Sequence, residues 1–163
     1  MNPTTSEPDD QHFIAMAIDL ARQGMRANRG GPFGAVVVKD QQIVGRGQNE
    51  VTSANDPTAH AEVNAIRDAC QQLDTFELNG CTLYTSCEPC PMCLGAIYWA
   101  RIDRIVFAAT RYDATQANFD DAWLYREVNL PWPERKLDYR QIGQTEAAQL
   151  FDEWNHKSDK THY

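Results

Sequence analysis

Residues 81–109 read CTLYTSCEPCPMCLGAIYWARIDRIVFAA, and this segment is the clearest indication of the fold. Its two ends are short apolar runs, residues 81–85 and 105–109, which are typical of buried strands. Pro91 opens an apolar helix between them, since proline is favoured at the first helical position. A strand, a helix and a second strand in this order predict a βαβ unit, in which the two strands pair in parallel.

The residues before this unit predict an antiparallel hairpin between two helices. The predicted elements are, in order, a helix capped by Asp9 or Asp10 and ending near Asn28, strands over residues 33–38 and 43–49, and a helix that starts at Asp56-Pro57. Together with the βαβ unit they predict an α/β fold. We expect a three-layer sandwich, in which a mixed sheet of about five strands lies between helices.

The chain of 163 residues has the length of one domain. We expect a flexible leader over residues 1–9, a core over residues 10–130 and a C-terminal arm over residues 131–163. The Pro-Trp-Pro sequence at 131–133 interrupts the chain where the arm begins. Thr145 is expected to cap a final helix, whose apolar stripe needs a surface on the same chain or on a partner.

The composition excludes several classes of partner. The chain has 15 Lys and Arg against 23 Asp and Glu, a net charge of −8, which repels phosphate backbones and argues against a nucleic-acid partner. No apolar run approaches the roughly 20 residues of a membrane span, so we expect no membrane partner. Residues 1–10 lack the features of a secretory signal, and five cysteines, an odd number, do not suggest a disulfide framework. We therefore expect a cytoplasmic protein in a reducing compartment.

Two short motifs at predicted helix starts contain typical metal ligands. His60 is followed two residues later by Glu62, and Cys90 and Cys93 form a Cys-x-x-Cys pair after Pro89. One histidine and two thiolates are a zinc ligand set, and three protein ligands leave the fourth position for water. Zinc-bound water loses a proton near neutral pH, and a carboxylate beside it can then move protons. The pattern predicts a catalytic zinc ion with Glu62 as the proton shuttle.

Three cysteines compete for two ligand positions. Cys90 and Cys93 are favoured because Pro91 places both sulfurs in the first turn of a helix, where thiolates are stabilised. The alternative pair is Cys87 and Cys90. A structural zinc site closed by Cys87, or a redox pair in a binding module, is the non-enzymatic alternative. Each of these explains one motif, whereas a catalytic zinc site explains both.

These motifs resemble those of the zinc-dependent nucleobase deaminases of the cytidine deaminase-like superfamily. Within that superfamily the chain is similar to the small bacterial guanine deaminases over most of its length. The similar runs are GPFGA at 31–35, GQN at 47–49, NDPTAHAE at 55–62, residues 84–99 and FDD at 119–121. The resemblance implies the cytidine deaminase-like fold and one zinc ion per subunit. It also implies hydrolysis of guanine to xanthine and ammonia, with zinc hydroxide as the nucleophile. Deamination of cytosine, an aminotriazine or tRNA adenosine is the alternative.

The resemblance also implies which residues contact the purine. Asn49 would hold the base, Phe33 would stack on it, and backbone groups at Ala61 and Cys90 would border the reacting centre. Asp121 would accept a hydrogen bond from the amino or N1–H group of guanine and assist proton movement, with Asp120 as the alternative contact. From the residues alone, Phe33 as a core side chain and Asn49 as a turn cap remain open.

The resemblance further implies a homodimer. In the guanine deaminases the C-terminal segment crosses to the other subunit of a domain-swapped dimer, and the final aromatic residue helps to close the site. By this resemblance the arm over residues 131–163 is exchanged and Tyr163 closes a substrate site. The proline break and the separate amphipathic helix fit an exchanged arm. A frayed terminus without function is the alternative for Tyr163.

Overall fold

A computed structural model describes residues 7–163. Its strands are β1 (Gly34–Lys39), β2 (Gln42–Gln48), β3 (Thr82–Cys87) and β4 (Arg104–Ala109). Its helices are α1 (Glu7–Arg26), α2 (Val51–Ala54), α3 (Ala61–Leu73), α4 (Pro91–Trp99), α5 (Arg111–Gln116), α6 (Asp121–Asn129) and α7 (Gln144–His156), with a 3-10 turn at Trp132–Glu134. None of the described helices is both long and apolar enough to cross a membrane.

The sheet is mixed, as predicted. Its strand order is β2-β1-β3-β4; β1 is antiparallel to both β2 and β3, whereas β3 and β4 are parallel. The βαβ prediction is therefore confirmed. The described residues form four strands where about five were predicted, because the chain continues from β4 into α5 and α6 and adds no further strand.

The two faces of the sheet are covered by different helices, which gives the predicted three layers. On one face, Phe13 of α1 packs against Val36 and Tyr84. On the other face α3 and α4 enclose the larger apolar cluster, which includes Val37 and Leu83. Alternate residues of β1 thus enter opposite layers, as the two-residue period of a strand requires.

Helix α3 approaches β2 unusually closely. Ala61, Ala65 and Ala69 recur every fourth residue and form a buried stripe, and Gly45 and Gly47 of β2 lie against it. A Cβ atom added at Gly47 would lie 2.0 Å from the Ala61 carbonyl oxygen. The small residues on both elements therefore determine where the first turn of α3 lies.

A polar cluster joins α1 to the far edge of the sheet. The Tyr84 hydroxyl donates to the Asp10 carboxylate over 2.7 Å, and Arg104 donates two hydrogen bonds to the same group over 2.9 and 2.6 Å. Because Tyr84 belongs to β3 and Arg104 to β4, this cluster holds the helix across two strands.

Several predicted boundaries were wrong. Asp56 does not start a helix: its carboxylate accepts hydrogen bonds from the backbone and hydroxyl of Thr58, which makes a local turn, and α3 begins at Ala61. Thr145 does not cap the last helix, because α7 already begins at Gln144 and its N-cap is Gly143, whose backbone is in the left-handed region. Of the predicted leader, residues 7–9 belong to α1, and the rest lies outside the described residues.

Candidate active site

Three predicted metal ligands come together where two helices begin. His60 directly precedes α3, Cys90 directly precedes α4, and Cys93 lies in the first turn of α4. The His60 Nδ1 atom lies 3.6 Å from the Cys90 sulfur and 3.4 Å from the Cys93 sulfur. The three ligand atoms all lie within 4.8 Å of one another, so the structure confirms that these residues are positioned to hold a metal ion. An imidazole and two sulfurs at helix N-termini suit zinc.

Cys87 does not belong to this cluster. It lies at the end of β3, and its thiol is 3.6 Å from the Thr110 carbonyl oxygen, to which it donates. Burial raises the pKa of the Cys87 thiol to about 12. The pKa of the Cys93 thiol is raised as well, mainly by its hydrogen bond with the Cys90 sulfur, so geometry and not titration separates the two cysteines. The geometry therefore supports Cys90 and Cys93 over the alternative pair, and Cys87 does not close the site.

The pKa values of the two ligand thiols are shifted in opposite directions, down for Cys90 and up for Cys93. The hydrogen bond from Cys93 lowers the pKa of Cys90 to about 4, and the contact with His60 acts in the same direction. The Cys90 sulfur in turn raises the pKa of His60. The centre thus already favours a negative sulfur, which is the form that binds a cation.

Glu62 is buried beside the cluster, with 5% of its surface exposed. The Thr85 hydroxyl lies 3.4 Å from one of its carboxylate oxygens, and the Cys93 thiol lies 3.5 Å from the other. Burial is the main reason that the pKa of Glu62 is raised. A buried carboxylate next to the metal ligands, with a raised pKa, is suited to take up and release a proton.

The position of the α3 N-terminus explains how His60 and Glu62 can face one centre. Two residues that are two apart within a helix point about 200° apart. His60, however, is the extended residue before the helix, and only Glu62 is inside it. The change of backbone conformation at Ala61, which is fully buried, brings both side chains to the same side.

A cavity of about 230 Å³ opens beside this cluster and contains most of the predicted substrate contacts. Its lining includes Gly31, Phe33, Asn49, Val51, Thr52, Pro57, His60, Glu62, Glu88, Cys90, Phe119 and Asp121. A larger and more open depression, formed by residues 132–142, contains none of the predicted site residues. The smaller cavity is therefore the candidate substrate pocket.

Phe33 forms one wall of the pocket together with Phe119. Their ring centroids are 4.8 Å apart and the rings are nearly perpendicular. Phe119 was not predicted as a site residue, although it is the aromatic residue directly before the pair Asp120 and Asp121. Two aromatic rings beside a metal centre suit a flat heterocyclic ligand.

Asn49 combines the two roles that the sequence left open. Its Oδ1 atom accepts hydrogen bonds from the backbone of Gly31 at 3.1 Å and Val51 at 3.3 Å, as a turn cap would. The same residue lines the pocket, so its Nδ2 group is the part that can donate to a ligand. The close approach needs Gly30, because a Cβ atom there would lie 2.1 Å from Oδ1.

The structure distinguishes the two neighbouring aspartates. Asp120 is the N-cap of α6, and its carboxylate accepts from the Trp123 backbone at 3.3 Å. Asp121 lines the pocket, and its pKa is raised mainly by burial. The geometry therefore favours Asp121 as the base contact, which stays a prediction.

Tyr163 lies away from the pocket of its own chain. Its ring centroid is 5.9 Å from that of Trp99, in an apolar depression formed by α3 and α4. The structure thus brings together the metal ligands, Glu62, Asn49, Phe33 and Asp121, but leaves the C-terminal residue outside this group.

Comparisons with known proteins agree with this geometry. Residues 7–109 match the cytidine and deoxycytidylate deaminase zinc-binding region. The chain is 52% identical to the guanine deaminase of Bacillus subtilis over 151 residues, covering 93% of this chain and 97% of that protein. The X-ray structure of the Bacillus subtilis enzyme superposes with a TM-score of 0.91 at 51% identity, covering 94% of this chain and 98% of the other. A tRNA-specific adenosine deaminase from Aquifex aeolicus is 42% identical over 101 residues, 61% of this chain and 65% of that protein.

Proposed function

The chain belongs to the cytidine and deoxycytidylate deaminase zinc-binding family, and we propose that it is a hydrolase that deaminates guanine to xanthine and ammonia. The observation that carries the proposal is that the metal cluster and Glu62 open into the same pocket as Phe33 and Asn49. The 52% identity to a guanine deaminase, over nearly the whole of both chains, supports guanine as the base.

The residues of the pocket suit the hydrolytic reaction. A zinc ion held by His60, Cys90 and Cys93 would supply a water molecule that is activated near neutral pH. Glu62 would take one proton from that water and deliver it to the ring nitrogen next to the amino-bearing carbon, to which the water oxygen bonds. It would then carry the second proton of the water to the amino group, whose bond to carbon breaks to release ammonia. The burial of Glu62 beside the metal ligands and its raised pKa suit both transfers.

The base is held by groups that match its faces and edges. The rings of Phe33 and Phe119 provide an apolar wall for the purine. The Nδ2 group of Asn49 donates to an acceptor on the base, and Asp121 accepts from its amino or N1–H group. A cavity of about 230 Å³ has room for a free base.

Deamination of tRNA adenosine is the second candidate, since a tRNA-specific enzyme is also similar to this chain. That similarity covers only about three fifths of the chain. The net charge of −8 also opposes binding of an RNA backbone. A small-molecule purine is therefore the better supported substrate.

We also propose that the protein is a homodimer in which the C-terminal arm is exchanged, so that Tyr163 closes the partner's pocket. Helix α7 presents apolar side chains without cover in the single chain: Leu150 is 64% exposed and Phe151 is 72% exposed. Covering this stripe with a second subunit removes it from water. Tyr163 lies outside the pocket of its own chain, which is compatible with a role in the partner.

A cytoplasmic location is the last part of this proposal. All five cysteines are free in the structure, which suits a reducing compartment. Fractionation of the source cells, followed by detection with an antibody, would test it.

The central experiment measures ammonia release by zinc-loaded protein from guanine, adenine, cytosine, guanosine and an aminotriazine. We expect turnover of guanine above the others. Glu62→Gln should lower turnover at least 100-fold while zinc content and circular dichroism stay unchanged. No release of ammonia from guanine by the wild type would refute the proposed activity.

The dimer is tested separately. Light scattering should give twice the mass of the chain, and removal of Thr161–Tyr163 should reduce guanine turnover without loss of zinc. Unchanged activity in the truncated protein would show that Tyr163 has no closing role.

A further inference from the structure

Helix α6 carries Asp121 and lies at the surface of the fold, where it packs against α4 and α5. None of its residues is fully buried. In the described part of the chain, most hydrogen bonds of its side chains stay local: Asn129 donates to the Tyr125 carbonyl, and Glu127 accepts from the Lys136 backbone. A hydrogen bond from α6 to the core can therefore affect where Asp121 lies.

Tyr125 makes such a contact with the metal-binding loop. Its hydroxyl donates to the Pro89 carbonyl oxygen over 2.6 Å, and Pro89 directly precedes the ligand Cys90. Tyr125 follows Asp121 by four residues, which places both side chains on the same face of α6. One hydrogen bond thus links the helix face that carries Asp121 to the backbone beside the metal centre.

The loop that accepts this hydrogen bond is held independently of α6. The Glu88 backbone N–H donates to the Ala109 carbonyl oxygen at 2.8 Å. The Glu88 carboxylate accepts hydrogen bonds from the Arg111 backbone at 2.9 Å and from the Arg111 side chain at 3.0 Å. The Arg111 guanidinium also lies 3.6 Å from the centre of the Tyr125 ring. If the hydroxyl is removed, the loop keeps its own anchors, whereas α6 loses its hydrogen bond to Pro89 and keeps the weaker stacking of the Tyr125 ring on Arg111. The change in position is therefore expected in α6 and not in the loop.

We propose that Tyr125 is a positioning residue that holds Asp121 in register with the metal centre. The proposal rests on the proposed function, in which Asp121 contacts the base. A base contact that is equally strong in the bound substrate and in the transition state affects KM, whereas kcat stays nearly constant. Loss of a single hydrogen bond with a neutral donor typically changes such an equilibrium by about three- to tenfold.

The first test compares Tyr125→Phe with a matched control, Tyr112→Phe. Tyr112 lies on α5 and is 68% exposed, so the same chemical change there should have no effect. In zinc-loaded protein, Tyr125→Phe should raise KM for guanine about three- to tenfold, with kcat within about twofold and one zinc per chain. An unchanged KM with a lower melting temperature would mean a merely structural role. Loss of zinc would place the effect in the ligand loop, and either result would overturn the proposal.

A double-variant comparison tests whether Tyr125 acts through Asp121. In the Asp121→Asn background, Tyr125→Phe should add less than about a twofold change in KM, because the contact that it positions is already weakened. Independent, multiplicative effects of the two substitutions would show that Tyr125 acts by another route.

A third measurement does not depend on turnover. Hydrogen exchange of the backbone amides over residues 121–129 should become about three- to tenfold faster in zinc-loaded Tyr125→Phe, while α4 exchanges at its wild-type rate. Unchanged exchange in α6, or equally faster exchange throughout the chain, would overturn the anchoring role. If the wild type released no ammonia from guanine, the proposed function would fail, and exchange would still decide whether Tyr125 anchors α6.

Discussion

Replacing Gly47 with alanine should damage both the stability of the protein and its metal site. The added Cβ atom would lie 2.0 Å from the Ala61 carbonyl oxygen and 2.5 Å from the Ala65 backbone nitrogen. Both atoms belong to the backbone of α3 and cannot rotate away, so relief requires the helix to move by more than about 1 Å. Overpacking of this kind costs about 1–3 kcal/mol, and the involvement of backbone on both sides places this case at the upper end.

The lower conformational entropy of alanine in the unfolded chain offsets part of this cost. Glycine gives up about 0.5–1 kcal/mol relative to alanine in a regular element, so a net loss of about 2 kcal/mol is expected for Gly47→Ala. With a urea dependence of about 2 kcal/mol per M, the unfolding midpoint should fall by about 1 M. Zinc retention should fall with it, because His60 directly precedes the displaced helix while Cys90 and Cys93 belong to a different one.

Urea denaturation followed by circular dichroism, at one protein concentration, measures the change in stability. Gly95→Ala in α4 is the matched control, because a Cβ atom there meets nothing within 4 Å. This control should raise the free energy of unfolding by about 0.5–1 kcal/mol. If Gly47→Ala were as stable as the wild type and kept its full zinc content, the argument that α3 is positioned by this close contact would be refuted.

Three further changes test other parts of the structure. Cys93→Ala should lose zinc, whereas Cys87→Ala should retain it, as measured by metal analysis after gel filtration. The reverse result would support the alternative ligand pair, Cys87 and Cys90. Phe119→Leu should raise KM for guanine about three- to tenfold, because the paired rings lose their aromatic contact; an unchanged KM would remove Phe119 from the substrate wall. Asp10→Asn should lower the free energy of unfolding by about 1 kcal/mol, because the ion pair that it forms with Arg104 is partly exposed. The zinc content should stay unchanged, and loss of zinc would contradict the separation of the two faces of the sheet.

Much of the site could be predicted because its signals are local. The Cys90-Pro91 step marks a helix start by the backbone preference of proline alone, and α4 does begin at Pro91. A similar argument failed at Asp56, where aspartate and proline were expected to start a helix. There the carboxylate is used by Thr58 in a turn, and the helix starts at Ala61 because its alanine stripe packs against the glycines of β2. Local capping rules cannot anticipate a choice that packing makes.

The amino-acid sequence by itself determined the chemistry of the site: which side chains can bind zinc, which carboxylate stands beside them, and that helices begin near both motifs. These properties depend on residue type and on backbone preferences over a few positions. Only the tertiary structure decided that Cys93 rather than Cys87 joins His60, that Glu62 is buried against Thr85, and that Phe119 enters the pocket. These contacts join distant parts of the chain, so they depend on how α3, α4 and α6 pack around the sheet, and no short pattern of residues encodes that packing.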